Sequence, residues 1–382
     1  MKTQGLLATA LAAGLGATFA PLALADLTIG VSISLTGPTS ALGIPTKNGI
    51  ALWPKEIGGE KLNVIILDDA TDTTKGVQNT RRLITEDKVD VIVGSVTTPV
   101  AVAMADVCAE GNTVQLMLSP AILPEGKDAW SFRMPQSTGV MAIPIVEQWK
   151  KLGVKTYGFL GYSDGYGEAW LKDITPLAEK SGIKQVAVER FARTDTSVTG
   201  QALKLIAANP DVILVVASGS GAAMPHKGLV ERGYAKGKIY QTHGAATMDL
   251  IRVGGADVEG SFVSSGPAVV AEKLPDGNPS KALGVQFKNA FEAANGKGSA
   301  NQFAAHAFDV VLVLQKAVPL ALKKGKTGTP EFRAALKDAF ETMGRTPVSQ
   351  GVLNWTAADH FGYTPETGVL LKIVGGDWQV VR

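Results

Sequence analysis

Residues 89–119, VDVIVGSVTTPVAVAMADVCAEGNTVQLMLS, contain two short, almost continuously apolar runs, VDVIVGS from Val89 and TVQLMLS from Thr113, around a stretch of helical length. A strand that is wet on one side alternates polar and apolar residues. One that is apolar throughout is covered on both faces, as in a parallel sheet flanked by crossover helices. The same unit occurs upstream, with strand-like runs LTIGVSIS from Leu27 and LNVIILDD from Leu62. Asp72 or Thr73 can cap the helix that follows, whose Val77, Leu83 and Ile84 suit one buried face. Four strand–helix units make a first lobe.

The pattern restarts after Met141 with TYGFLGY from Thr156, QVAVERF from Gln185, DVILVVAS from Asp211, KIYQTHG from Lys238 and GSFVSSG from Gly260. A second sheet of the same kind is expected. The Pro/Gly/Asn-rich stretch LPDGNPSKALG from Leu274 ends the alternation, and helical runs follow at 281–295, 301–324 and 330–343. Helices without strands at this point suggest that the chain returns to its first lobe. Strand-like pieces GVLNW and GVLLKIV close the sequence.

At the N-terminus, Lys2, an apolar stretch from Leu6 to Ala20 and Ala23-Leu24-Ala25 form a secretory signal pattern, with cleavage expected between Ala25 and Asp26. Asp26 offers no thiol for a lipid, and no later segment has about 18 uninterrupted apolar residues, so a soluble mature protein is expected. The chain has 37 basic and 35 acidic side chains, a balance that gives no support for nucleic acid or an anionic membrane as partner. Cys108 is the single cysteine, which excludes an intrachain disulfide, and it reads as a small buried hydrophobe. The four histidines, His226, His243, His306 and His360, lack ligand spacing, and neither metal nor cofactor is expected.

Ligands of open parallel sheets bind beyond the carboxyl ends of the strands. The residues leaving those ends are small and hydroxylic: Ser34, Thr36 and Gly37; Ser95, Thr97 and Thr98; Ser119; and Ser218, Gly219, Ser220 and Gly221. At any single turn, helix capping is the plain reading. Recurrence of such turns at one edge of both sheets points instead to a bound carboxylate, held by free N–H groups and hydroxyls. Enzyme motifs fail one by one. No G-x-S-x-G elbow exists, Gly219 and Gly221 lack the third glycine of a dinucleotide fingerprint, and GKT at 325–327 has no glycine at the Walker spacing. Asp68 and Asp69 are neighbours on a strand, whose side chains face opposite ways.

Four segments resemble the leucine/isoleucine/valine-type periplasmic binding proteins of ABC importers: SLTGPTSALG at 34–43, DDATDTTKGVQNTRRLI at 68–84, VDVIVGS at 89–95 and SDGYGEAW at 163–170. The resemblance covers essentially the whole mature chain, including HAFD at 306–309. It implies the type I periplasmic binding fold, in which two doubly wound α/β lobes with parallel-sheet cores are joined by three hinge crossings, here near 142, 268 and 346. The expected division is a signal at 1–25, an N-terminal lobe of 26–142 plus 268–345, and a C-terminal lobe of 143–267 plus 346–382. Carried over by position, Thr98 supplies a hydroxyl toward a ligand carboxylate and Ala121 a backbone N–H, and Ser119 joins them as a ligand-binding candidate from its place at the end of its strand. Leu42 gives an apolar contact, Tyr166 an aromatic wall, and Ser220 and Gly221 close from the second lobe.

Two positions depart from the amino-acid-binding members. His243 stands where they carry an acidic residue that pairs with the ligand ammonium, and Leu123 stands where a hydroxyl is expected. A neutral histidine gives a cation far less than a carboxylate does. The expected ligand is therefore a small carboxylate without an amine, an aromatic or branched aliphatic acid, with His243 meeting a second polar group. The alternatives are a branched-chain amino-acid binder in which Glu168 takes the ammonium, and an amide-sensing regulator of the same fold. The implied partner is an inner-membrane ABC permease, the implied compartment the periplasm, and a non-catalytic monomer is expected.

Overall fold

The computed structural model describes residues 26–381; the expected signal segment lies outside them. In the first lobe, β1 (Leu27–Ile33), α1 (Ser40–Ile50), β2 (Glu56–Ile57), β3 (Glu60–Asp68), α2 (Thr73–Thr85), β4 (Val91–Gly94), α3 (Thr98–Glu110), β5 (Val114–Met117) and β6 (Ser131–Arg133) follow in order. The second lobe holds α4 (Thr138–Lys151), β7 (Thr156–Tyr162), α5 (Gly165–Lys180), β8 (Lys184–Phe191), α6 (Thr199–Ala207), β9 (Val212–Val216), α7 (Ala223–Val230), β10 (Ile239–Gln241), α8 (Met248–Gly254) and β11 (Phe262–Ser265). After it come α9 (Lys281–Asn295), α10 (Gln302–Ala321), α11 (Pro330–Thr342), the hairpin β12 (Thr346–Val348) and β13 (Gly351–Leu353), then β14 (Val369–Val374) and β15 (Asp377–Val380).

The first sheet runs β2-β3-β1-β4-β5-β6 and the second β15-β14-β11-β10-β9-β7-β8. Apart from the antiparallel edges β2, β14 and β15, every pairing in the two sheets is parallel. Each lobe thus places its second parallel strand (β3 or β8) on one side of the first and its third (β4 or β9) on the other. The crevice where the order reverses, β1/β4 in one lobe and β7/β9 in the other, is where an open α/β sheet leaves room for a ligand.

Burial on both faces is what the apolar strand runs require. In β4, Val91 and Val93 enter the core that also receives α10 and α11, while Ile92 points to the opposite face and packs with Leu83, Met104 and Cys108. Helix α10 is apolar nearly all round and fills the centre of its lobe. Among the described residues it is the one helix long and apolar enough to cross a membrane, yet most of it is buried inside the fold. Burial of this kind marks a core helix.

The chain passes between the lobes at three places, and the last of them departs from expectation. Met134 belongs to the first core and Met141 to the second, so the chain passes between them, just before 142. Next, Ala268 packs with Phe287 and Phe291 of α9 after the chain leaves β11. The third passage was expected near 346, but Val348, Leu353, Trp355 and Tyr363 all pack in the first core, and the second sheet is rejoined only at β14. Aromatic contacts are the cause: the Trp355 ring lies 5.2 Å from Phe132 and 5.6 Å from Phe340, which holds this segment on the first lobe.

Candidate ligand-binding cleft

Hydroxyls leaving the strand ends sort into two sets. Ser34 and Ser95 both donate to the buried carboxylate of Asp69, at 2.6 and 2.7 Å, and Thr36 donates to Asp68 at 2.6 Å. Asp68 and Asp69 therefore stitch β1, β3 and β4 together. The second set is Thr97, Thr98 and Ser119, whose hydroxyl oxygens are buried with no partner among the described residues. Thr97 occupies the N-cap of α3 but makes no side-chain capping bond. Capping thus leaves this hydroxyl free, whereas Asp72 does cap α2 by accepting from the Lys75 N–H at 2.8 Å.

These hydroxyls line a narrow cavity at the carboxyl edge of both sheets. Leu42, Val96, Thr97, Thr98, Leu118, Ser119, Pro120 and Pro135 approach from the first lobe, Gln302, Phe303 and His306 from α10, and Tyr166, Arg193, Ser218, His243 and Gly244 from the second lobe. The lobes touch around it. A Cβ on Gly165 at the start of α5 would lie 3.3 Å from the Thr98 methyl, and one on Gly219 would lie 2.7 Å from Leu42.

Two sides of the cavity differ in polarity. At one lie the N-terminus of α3, with its free N–H groups, and the three unpartnered hydroxyls, a setting that favours an anion. Among the described residues, Arg193 is the one cationic residue of the lining, which contains no Asp or Glu. Its guanidinium is held in place by Asp164 at 2.6 Å and by Ser218 Oγ at 3.0 Å, and it stacks 4.0 Å above the Tyr162 ring. Asp164 also caps α5, accepting from the N–H groups of Tyr166 and Gly167.

Neutral groups form the other side. Tyr166 hydroxyl shares a 2.9 Å hydrogen bond with Thr242 Oγ1 and accepts from the Gly244 N–H at 3.1 Å, which fixes its ring as a wall. His243 lies against Tyr166 and Trp170, with ring centroids 5.8 and 5.6 Å away. Burial pushes its pKa down to about 3; burial and the nearby His243 do the same to His306. Both imidazoles are neutral at physiological pH.

Of the residues singled out from sequence, Leu42, Thr98, Ser119, Tyr166 and His243 meet at this cavity, and Ala121, Ser220 and Gly221 do not. Ala121 is buried behind it, with its carbonyl accepting from Arg133 Nε at 2.8 Å. Ser220 opens onto a separate groove with Thr199 and Lys227, and Gly221 backs onto the Tyr162 hydroxyl. The turn that follows β9 carries Ser218 to the ligand side in their place. Glu168, the alternative partner for an ammonium, is outside the lining and engaged by Arg190 at 2.5 and 3.0 Å.

Sequence reasoning missed Arg193, Gln302 and His306. Arg193 follows a strand, and only the fold brings it beside Asp164 and Tyr162. Gln302 and His306 did leave a signal, since they are polar residues four apart in the first turns of an otherwise apolar helix. The histidines read as scattered include two, His243 and His306, that the fold brings to one cavity.

Comparison with known proteins follows the same lines. Residues 26–372 match the family model described as periplasmic binding protein. The Leu/Ile/Val-binding protein BraC3 of Rhizobium johnstonii is 26% identical over 360 residues, covering 88% of this chain and 89% of that protein. An extracellular ligand-binding receptor from Rhodopseudomonas palustris HaA2 superposes with a TM-score of 0.91 at 45% identity, covering 94% of this chain and all of that one. A second receptor so described from the same organism gives 0.89 at 39% identity with the same coverage.

Proposed function

This chain belongs to the periplasmic binding protein family, and from that premise we propose that it captures a small amine-free carboxylic acid between its lobes, in the periplasm, for an ABC importer. The observation that carries the ligand class is the charge of the lining: one cation, Arg193, three unpartnered hydroxyls at and near the start of α3, and no carboxylate. An anion gains charge-assisted hydrogen bonds there. An ammonium would be buried against neutral groups, at a cost of several kcal/mol even after relaxation.

Capture requires no covalent step. Groups from both lobes meet at the cavity, so a ligand that touches both favours the closed arrangement over the open one. The apolar lining of Leu42, Val96, Leu118 and Phe303, with Tyr166 opposite, suits an aromatic or branched aliphatic skeleton.

A second reading is branched-chain amino-acid binding, favoured by the name of the Rhizobium relative. Calorimetry with pairs that share a skeleton and differ in the amine separates the two. The acids 4-methylpentanoate and 3-phenylpropanoate are compared with leucine and phenylalanine. The amine-free member of at least one pair should bind about a hundredfold tighter or more, the equivalent of about 2.7 kcal/mol. Equal or tighter binding of the amino acids would overturn the proposal in favour of the second reading.

A further inference from the structure

We propose that the same cavity contains a second, neutral polar subsite formed by His243, His306 and Gln302, which takes a hydroxyl group, so that the captured solute is a hydroxy acid. This rests on the reading of the cleft as a carboxylate site and adds the chemistry of the ligand's other end.

Gln302 and His306 stand four residues apart in the first turns of α10, on one face of the helix. The helix needs neither for capping, because Asn301 already accepts from the N–H groups of Phe303 and Ala304. Gln302 Nε2 donates to the backbone carbonyl of His243 across the cleft, which orients the amide and leaves Oε1 as its free end. That oxygen has no partner among the described residues. The same holds for Nδ1 of His243 and for both ring nitrogens of His306. All three residues line the cavity and are at most 2% exposed.

Each neutral imidazole offers one N–H donor and one lone-pair acceptor, and Gln302 Oε1 only accepts. Buried polar atoms left unmatched carry a desolvation cost, so this mixed set calls for a complementary group. A carboxylate only accepts, and here it would confront the Gln302 oxygen and a ring lone pair. An ammonium only donates, and it would leave the His306 N–H without a partner. A hydroxyl does both at once. The neutrality of the two rings is consistent with this choice, since neither would attract a second anion.

The test is calorimetry on the mature wild-type protein with benzoate and 3-phenylpropanoate, their 3- and 4-hydroxy derivatives, and the matching methoxy derivatives, which can accept but not donate. At least one hydroxy acid should bind about tenfold tighter than its parent, and its methoxy partner should lose that gain. In His306→Leu the ratio of hydroxylated to parent affinity should fall toward one, and in His306→Gln, which keeps a donor and an acceptor, part of it should return.

Parent and hydroxy acids that bind equally well would overturn the subsite, as expected if water fills it, and leave the carboxylate reading standing. Binding of amino acids but of none of these acids would overturn both. A hydroxyl preference that survives intact in His306→Leu would remove His306 from the subsite, and a thermal melt confirms that the variant scored is folded. Should His306→Leu not fold, His306→Phe, which likewise has no hydrogen-bonding group, replaces it, and the wild-type ratios of hydroxy, parent and methoxy acids decide whether the subsite exists.

Discussion

Thr98 shows what a single residue contributes to this cleft. Its hydroxyl is buried, without a partner among the described residues, and set in the first turn of α3, so removing it takes a donor from the proposed carboxylate without disturbing a bond the fold uses. Thr98→Ala should weaken binding of an amine-free acid by about 1.5–3 kcal/mol while the thermal melt stays unchanged. Unchanged affinity by calorimetry would take Thr98 out of the site. His243 tests the charge argument from the other direction. His243→Glu puts a negative charge at a position that is now neutral, and should lower the affinity for 4-methylpentanoate at least about tenfold while raising that for leucine. If neither ligand responds, the absence of an anion from the lining does not set the ligand class. The place of both residues at the cavity was readable from sequence because each follows a recognisable strand. Arg193 was not, because its place depends on Asp164 and Tyr162, which precede it by a whole strand and helix. Ser220 and Gly221 were misplaced because a turn in a sequence does not disclose which of its residues faces inward.

At the scale of elements, the apolar runs were readable wherever burial on both faces demanded them, as in β1, β4, β7 and β9. Short elements were not. The three residues of β6, Ser131–Arg133, include a buried arginine paired with Asp128, and no period can be read from so short a run. The hairpin β12–β13 was recognised in part as strand but assigned to the wrong lobe, since nothing local announces that Trp355 will meet Phe132 and Phe340. One element boundary is set by a close approach. Gly167, in the first turn of α5, faces the end of β7, and a Cβ there would lie 1.8 Å from the Tyr162 carbonyl oxygen. Tyr162 cannot retreat easily, because β7 is paired on both sides, with β8 and β9. Gly167→Ala should therefore destabilise the protein by about 1–3 kcal/mol in urea unfolding. Gly200→Ala in α6, where nothing lies within 4 Å of a built Cβ, should be neutral or slightly stabilising. Equal effects of the two would show that crowding at Tyr162 does not fix the start of α5.

At the scale of the molecule, the first two crossings meet the turn of the β12–β13 hairpin at a buried knot of side chains. Gln136 Nε2 donates to the Gln350 carbonyl at 2.7 Å, and a Cβ on Gly266 would come within 2.2 Å of Gln350 Oε1 and 2.9 Å of Gln136 Nε2. These contacts tie the crossings to the first lobe, so protonation that favours the unfolded chain in either lobe bears on the stability of the whole. His226 provides a test away from the cleft. Its Nδ1 accepts from Gln241 Nε2 at 3.2 Å and its Nε2–H donates to the Asp257 carbonyl at 3.0 Å, a pattern that only the neutral ring can keep. Burial is the main cause of a pKa pushed down to about 4, against 6.5 for a free histidine. Between those values the unfolded chain holds the extra proton, so the stability supplied by His226 is fully present above about pH 6.5 and is lost as the pH falls toward 4. His226→Gln has no such proton to gain. It should be less stable than wild type at pH 8, and the gap should narrow by about 2 kcal/mol at pH 5. Urea unfolding of both proteins at the two pH values measures this directly, and a gap that stays constant would mean that His226 is already protonated in the fold or titrates alike in both states.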